Sequence, residues 1–78
     1  YFDIRYLNNS IMAKIQINGR KINIKQKINL SDLLKKYKLD TKKIALELNG
    51  EIIPKQMYKK RIIKNKDNIE IVHFIGGG

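Results

Sequence analysis

The stretch AKIQINGRKINIKQ, residues 13–26, decides the fold because its pattern predicts a β-hairpin. Apolar and polar residues alternate through both halves, and this period of two places the isoleucines on one face of a strand pair. The four isoleucines concerned are Ile15, Ile17, Ile22 and Ile24. Between the halves lie Asn18 and Gly19, which both tolerate the positive φ of a type I′ turn. The sheet therefore begins as an antiparallel pair with one apolar face.

The next segment, NLSDLLKKYKL at residues 29–39, predicts a helix that covers this apolar face. Asn29 suits the N-cap, and Asp32 lies in the first turn, where the helix dipole favours negative charge. Apolar residues recur at i, i+3, i+4 and i+7, so we expect one buried side. That side consists of Leu30, Leu33, Leu34 and Tyr37.

Further strands are predicted after the helix. Residues 43–50, KIALELNG, alternate as a strand and end in a second Asn-Gly turn. A short extended piece comes next at a sheet edge, because Pro54 cannot donate a ladder hydrogen bond. Residues 56–67 predict a single turn and then a short strand around Ile62 and Ile63, and residues 69–75 predict the last strand.

This order of elements predicts an α+β protein with a β-grasp arrangement. We expect a mixed sheet of four to five strands with one main helix packed on one face. The last strand is expected to lie in the middle of the sheet, parallel to the first.

The last strand is apolar on both faces near its C-terminal end. Because a single helix covers only one face, we expect Val72 or Phe74 on the open face, and with Ile75 these residues predict a partner-docking patch. Two alternatives stay open: isolated exposed apolar residues are common, and the N-terminal residues could cover these.

The first eleven residues differ from the rest. Residues 1–11 contain no lysine and three of the chain's aromatic residues, whereas every later stretch is rich in lysine. We expect them to be an N-terminal extension or an expression remnant, residues 12–75 to form the domain, and residues 76–78 to form a flexible glycine tail.

Composition narrows the chemistry of this chain. It has no cysteine, which excludes disulfides, a Cys-based zinc site and a catalytic thiol. The net charge is +10 from 17 basic and 7 acidic residues. Because lysine, isoleucine and asparagine all have A/T-rich codons, genomic bias explains most of this charge, and an acidic partner surface is a secondary explanation. No catalytic constellation is present, and His73 is the single candidate general base.

The glycine tail points to a different chemistry. The distinctive reactive group is the carboxylate of Gly78, which becomes reactive only when another enzyme activates it, for example by adenylation with ATP. A tail without Cβ atoms can enter a narrow active-site channel, and three extended residues reach roughly 10 Å.

Residues 12–78 resemble the ThiS family of sulfur carriers in thiamin biosynthesis. The matching pieces are IQINGRKINI (15–24), NLSDLLKKYKL (29–39), LELNGEIIPKQMY (46–58) and KDNIEIVHFIGGG (66–78). The last two are the more specific, since they combine an Asn-Gly-acid-aliphatic-Pro segment with an apolar strand and terminal glycines.

The resemblance implies a ubiquitin-like β-grasp fold and a protein cosubstrate rather than an enzyme. A ThiF-type adenylyltransferase would use ATP to adenylate Gly78, and a cysteine desulfurase persulfide would supply sulfur for a thiocarboxylate. A ThiG-type thiazole synthase would then receive the sulfur. Gly77 and Gly78 match the family's tail pair, and Gly76 matches a more variable position. The chain is expected to bind no cofactor, nucleic acid or membrane, and to be a free monomer in the cytoplasm or a plastid stroma.

Other carriers and one other class remain as alternatives. The small subunit of molybdopterin synthase resembles the fold and tail but usually has a proline pair before its glycines, and a tRNA-thiolating carrier is also consistent. From another class, a basic β-grasp module could bind RNA through its lysines. The spread of lysines over every segment favours a solvated surface instead.

Overall fold

The computed structural model describes residues 12–74. Its strands are β1 (Met12–Ile17), β2 (Arg20–Lys25), β3 (Ile44–Leu48), β4 (Glu51–Ile52) and β5 (Asn68–His73). The helix α1 spans Leu30–Lys36, and two short 3₁₀ helices span Thr41–Lys43 and Lys55–Met57. The residues on either side of this range, 1–11 and 75–78, lie outside the description.

The five strands form one mixed sheet in the order β2-β1-β5-β3-β4. β5 runs parallel to β1 and antiparallel to β3, while the two outer strands pair antiparallel with their neighbours. The predicted β-grasp arrangement is confirmed, with the last strand at the centre of the sheet and β4, the piece before Pro54, at its edge.

The first hairpin forms as its sequence predicts. Ile15 pairs with Ile22, and the turn residues Asn18 and Gly19 have φ of 50° and 82°. The second Asn-Gly turn, at Asn49 and Gly50, has nearly the same values, 54° and 84°. Both turns thus use the left-handed conformation that asparagine and glycine adopt at low cost.

The core lies on one side of the sheet. Alternate residues of the strands face the buried leucines of α1, and residues after β4 complete the cover. The buried residues are Ala13, Ile15, Ile24, Leu30, Leu33, Leu34, Ile44, Leu46, Leu48, Ile53, Tyr58, Ile63, Ile69 and Ile71. Burial also raises the pKa of the Tyr58 hydroxyl above its ordinary 10.0, so this side chain remains neutral in the core.

The helix is shorter than predicted, and the prediction that Tyr37 is buried is wrong. Tyr37 is the C-cap and is 44% exposed. The amide of Lys38 donates to the carbonyl of Lys35, and the amide of Leu39 donates to that of Leu34. These two bonds form a Schellman motif, in which Lys38 takes a left-handed φ of 56°. The chain reverses direction at Lys38, so the side chain of Tyr37 does not pack beside the buried leucines of α1.

The predicted strand around Ile62 and Ile63 is also wrong. Ile62 makes an isolated bridge with Asn29, and the amide of Ile63 donates to the carbonyl of Ile28. The neighbour of this segment is the chain entering α1, and that chain becomes helical at Leu30. Because no extended segment within residues 12–74 lies beside it, the chain around Ile62 and Ile63 makes one bridge instead of a strand.

Replacing Lys38 with glycine tests the helix end. We expect Lys38→Gly to raise the free energy of unfolding by about 1 kcal/mol, because glycine adopts the left-handed conformation without a Cβ penalty. The control is Lys35→Gly, an exposed position within the helix, which should lower the free energy of unfolding by about 1 kcal/mol. Chemical denaturation measures both, and a loss of stability in Lys38→Gly would contradict this description of the helix end.

Candidate functional site

The C-terminal end of β5 presents apolar side chains on the open face of the sheet. Val72 is 59% exposed and Phe74 is 49% exposed. On this strand Ile69 and Ile71 point into the core, so Glu70 and Val72 point away from it. The expectation of exposed apolar residues here is confirmed, and their role in docking stays a prediction.

The other predicted site residues fall outside the described part of the chain. They are Ile75, Gly76, Gly77 and Gly78. The structure therefore describes the strand that leads to the predicted tail. The amide of Phe74 still donates to the carbonyl of Lys43 at 2.8 Å, so the pairing beside β3 continues to the last described residue.

A turn asparagine holds β5 on one side. β1 pairs with β5 only as far as Ile17, opposite Ile69, and then turns away. Beyond that point the side chain of Asn18 takes over. Its Oδ1 accepts from the amide of Ile71 at 2.7 Å, and its Nδ2 donates to the carbonyl of Ile71 at 3.2 Å. A side-chain amide thus replaces the missing strand, which keeps the buried backbone of Ile71 satisfied.

The second turn asparagine holds β5 from the other side. The amide of Asn49 donates to the carbonyl of Asn68 at 2.7 Å, and its Oδ1 accepts from the amide of Asn68 at 2.8 Å. Its Nδ2 also donates to Asp67 Oδ1 at 3.0 Å. The start of β5 is therefore fixed to the β3–β4 turn, as its later part is fixed to the β1–β2 turn.

These two asparagines are the residues whose role the sequence did not reveal. The Asn-Gly pairs predicted the turns, but each asparagine also binds a strand far away in sequence. The available signal was the choice of asparagine over glycine or aspartate at the first turn position of both hairpins, since asparagine alone offers both a donor and an acceptor.

The described surface offers little for catalysis or metal binding. His73 lies exposed at the end of β5. Within residues 12–74 no three histidine, aspartate or glutamate side chains cluster as metal ligands would. In the same range, no helix has both the length and the apolar character needed to cross a membrane. The arrangement can present a strand end and an apolar patch to another protein.

Comparison with known proteins gives a consistent family. The ThiS family model matches residues 6–78. The sulfur carrier protein ThiS of Bacillus subtilis is 42% identical over 65 residues, which cover 82% of this chain and 98% of that protein. The crystal structure of thiamine biosynthesis protein ThiS from Geobacter metallireducens superposes with a TM-score of 0.73 at 26% identity, covering 83% of this chain and 99% of that one.

A longer protein also matches. A thiazole synthase of Paramagnetospirillum magneticum is 40% identical over 65 residues, which cover 83% of this chain. The aligned residues span only 20% of that synthase, so the similarity concerns a fifth of its length.

Substitution of Asn18 tests the hold on β5. Asn18→Gly keeps the positive φ but removes both bonds to Ile71, so we expect a loss of about 1–2 kcal/mol in the free energy of unfolding. Asn18→Asp retains the acceptor and should lose less. In Asn18→Gly, the rate of amide hydrogen exchange should rise more at Ile71 than at Leu46 on β3. An equal rise across the sheet would contradict a specific role of Asn18 in holding β5.

Proposed function

The chain belongs to the ThiS family, and we propose that it carries sulfur for thiamin biosynthesis as a thiocarboxylate on Gly78. The observation that supports this most is the family match, which runs over residues 6–78 and so includes the glycines. The chain acts in this proposal as a cosubstrate that other enzymes modify.

The chemistry requires two steps by partner enzymes. A ThiF-type adenylyltransferase directs the Gly78 carboxylate onto the α-phosphorus of ATP, which forms the acyl adenylate and releases pyrophosphate. A persulfide from a cysteine desulfurase then attacks the acyl carbon, and AMP leaves. Two-electron reduction of the resulting S–S bond by a thiol frees the thiocarboxylate. ATP is therefore the partner's substrate, and this chain binds no cofactor.

The described fold suits a carrier because the residues that stabilise it are separate from the surface at the end of β5. Residues of the core lie on the helix side, while β5 is bonded on both edges and its C-terminal end carries the exposed Val72, followed by Phe74. A firmly held strand limits the positions available to the residues after it, which lowers the entropy cost of placing a terminus in an active site.

The proposed acceptor is a thiazole synthase of the ThiG type. The thiazole synthase of Paramagnetospirillum magneticum contains a stretch similar to this chain, which supports a functional association between the two activities. In this proposal the thiocarboxylate sulfur of Gly78 is transferred to the synthase for the thiazole ring. The free carrier is a monomer in the cytoplasm, or in the plastid stroma where an organelle genome encodes it.

Intact mass spectrometry tests the carrier role. We expect incubation with ATP, the activating enzyme, a cysteine desulfurase, cysteine and a thiol reductant to raise the mass by one oxygen-to-sulfur exchange. A variant with one alanine added after Gly78 should show no change in mass. Its terminal carboxylate lies one residue further along the chain, and the residue that carries it has a Cβ. The control carries an alanine added before Tyr1 instead. Sulfur gain in the extended variant would disprove the assignment to Gly78.

A matched pair of substitutions tests the docking patch. Phe74, directly after β5, and Tyr37, the C-cap of α1, are similarly exposed aromatics at 49% and 44% in different parts of the fold. We expect Phe74→Ser to raise the KM of the activating enzyme for the carrier about tenfold, as for loss of an aromatic anchor, and Tyr37→Ser to leave it unchanged. Equal effects of both substitutions would argue against a patch at the end of β5.

A further inference from the structure

A basic cleft lies on the sheet at the opposite end of β5 from the apolar patch. It has a volume of about 670 Å³, and its lining includes Lys14 of β1, Lys21 of β2 and Lys66 of the turn before β5. Gln16 and Asn23 are also lining residues. Three of its nine lining residues are lysines and only one is acidic, so the cleft suits an anionic ligand.

The cleft is built by hydrogen bonds that connect the turn to β1. The amide of Lys66 donates to the carbonyl of Lys14 at 2.7 Å, and the amide of Lys14 donates to Asn65 Oδ1 at 2.8 Å. Lys66 itself takes a left-handed φ of 72°. These contacts fix the backbones of two of the three lysines beside each other, although the two are far apart in sequence.

The charge of the cleft is positive despite one acidic residue in its lining. The lining contains three lysines and one acidic residue, Asp67. The two oxygens of its carboxylate accept hydrogen bonds from Asn49 Nδ2 at 3.0 Å and from the amide of Lys64 at 2.7 Å. Asp67 is thus committed to holding the turn, which leaves the lysines available to an external anion.

The position of the cleft relates it to the apolar patch. Asn68, which lines the cleft, and Val72, in the patch, lie on the same face of β5 because they are four residues apart. At about 3.3 Å per residue their separation along the strand is about 13 Å. One partner surface of ordinary size can therefore cover both.

We propose that this cleft binds an acidic segment of the activating enzyme while the apolar patch beside the tail packs on the same partner. This proposal rests on the proposed function and adds the chemistry of the partner. The cleft supplies attraction and orientation, since complementary charge raises association rates and fixes the register of a complex. Because the cleft lies at the opposite end of β5 from Phe74, a partner segment bound there does not cover the end of the described chain.

A second feature of the same face favours a short acidic segment over a nucleic acid. Glu70 lies on this face, two residues after Asn68. Glu47 on β3 pairs directly with Glu70. An extended phosphate backbone that ran along β5 from the cleft would meet this carboxylate pair, which repels it. No aromatic side chain lines the cleft, whereas single-stranded nucleic acids are commonly held by base stacking on aromatics.

Two measurements test the proposal with one pair of triple variants. The first variant, Lys14→Gln, Lys21→Gln and Lys66→Gln, neutralises the cleft. The control neutralises Lys36, Lys59 and Lys60 by the same change, and none of these lines the cleft. The measurements are carrier-dependent ATP–pyrophosphate exchange by the ThiF-type enzyme and amide chemical shifts during titration with a short oligoglutamate peptide.

We expect the cleft variant to raise the KM for the carrier about tenfold with kcat unchanged, the sum for three exposed ion pairs. The control should behave as the wild type. The peptide should shift the amides of Gln16 and Lys66 in the wild type and control only. Added salt should raise the KM for the wild-type carrier toward the value for the cleft variant, because salt screens exposed charges.

Other results overturn the proposal. An unchanged KM in the cleft variant rules out partner binding there, even if the peptide binds. Tighter binding of single-stranded oligouridylate than of oligoglutamate at the same amides assigns the cleft to nucleic acid. If the wild type supports no exchange while oligoglutamate still binds the cleft, the proposed function fails, and the preference of the cleft for acidic segments stands.

Discussion

The fold depends on keeping its last strand paired on both edges after the neighbouring strands have ended. β5 lies at the centre of the sheet, but β1 stays beside it only to Ile17 and β3 only to Leu48. The side chains of Asn18 and Asn49 extend the pairing at those two points. Asn18 keeps the later part of β5 paired on the side of β1, and Asn49 keeps its start paired on the side of β3. The Asn18 contact matters more for stability, because an unpaired buried amide such as that of Ile71 costs more than a hydrogen bond normally contributes.

Within residues 12–74, the elements that cover the sheet all lie on one side of it, and the other side is left open. The seven residues of α1 are about 10 Å long, whereas five strands span about 20 Å. The remaining cover comes from Ile53, Tyr58 and Ile63, which come after β4 and pack on the same side as the helix. No described element crosses the face that carries Val72 and the basic cleft.

The sequence predicted the parts of this fold that depend on local pattern. Strand alternation, the Asn-Gly turns, the Asn29 cap and the central last strand could all be read from short segments, and so could the exposure of Val72 and Phe74. Tyr37 and the Ile62 segment could not, because a left-handed lysine and the absence of an extended neighbour are set by tertiary packing. The roles of Asn18 and Asn49 require knowing which strand lies beside each turn. The glycine tail rests on family resemblance, since residues 75–78 are not described.

The spread of lysines along the sequence does not show that three of them line one cleft in the fold. The lysines are spread over every segment, which favours a uniformly solvated surface as their role. Parallel pairing of β1 with β5 nevertheless brings Lys14 and Lys66 together, and the hairpin adds Lys21. Along β5 the open face then changes from the basic cleft beside Asn68, through acidic Glu70, to apolar Val72. Such an ordered sequence of surface types favours one direction of partner binding, which is what the proposed presentation of Gly78 to an activating enzyme requires.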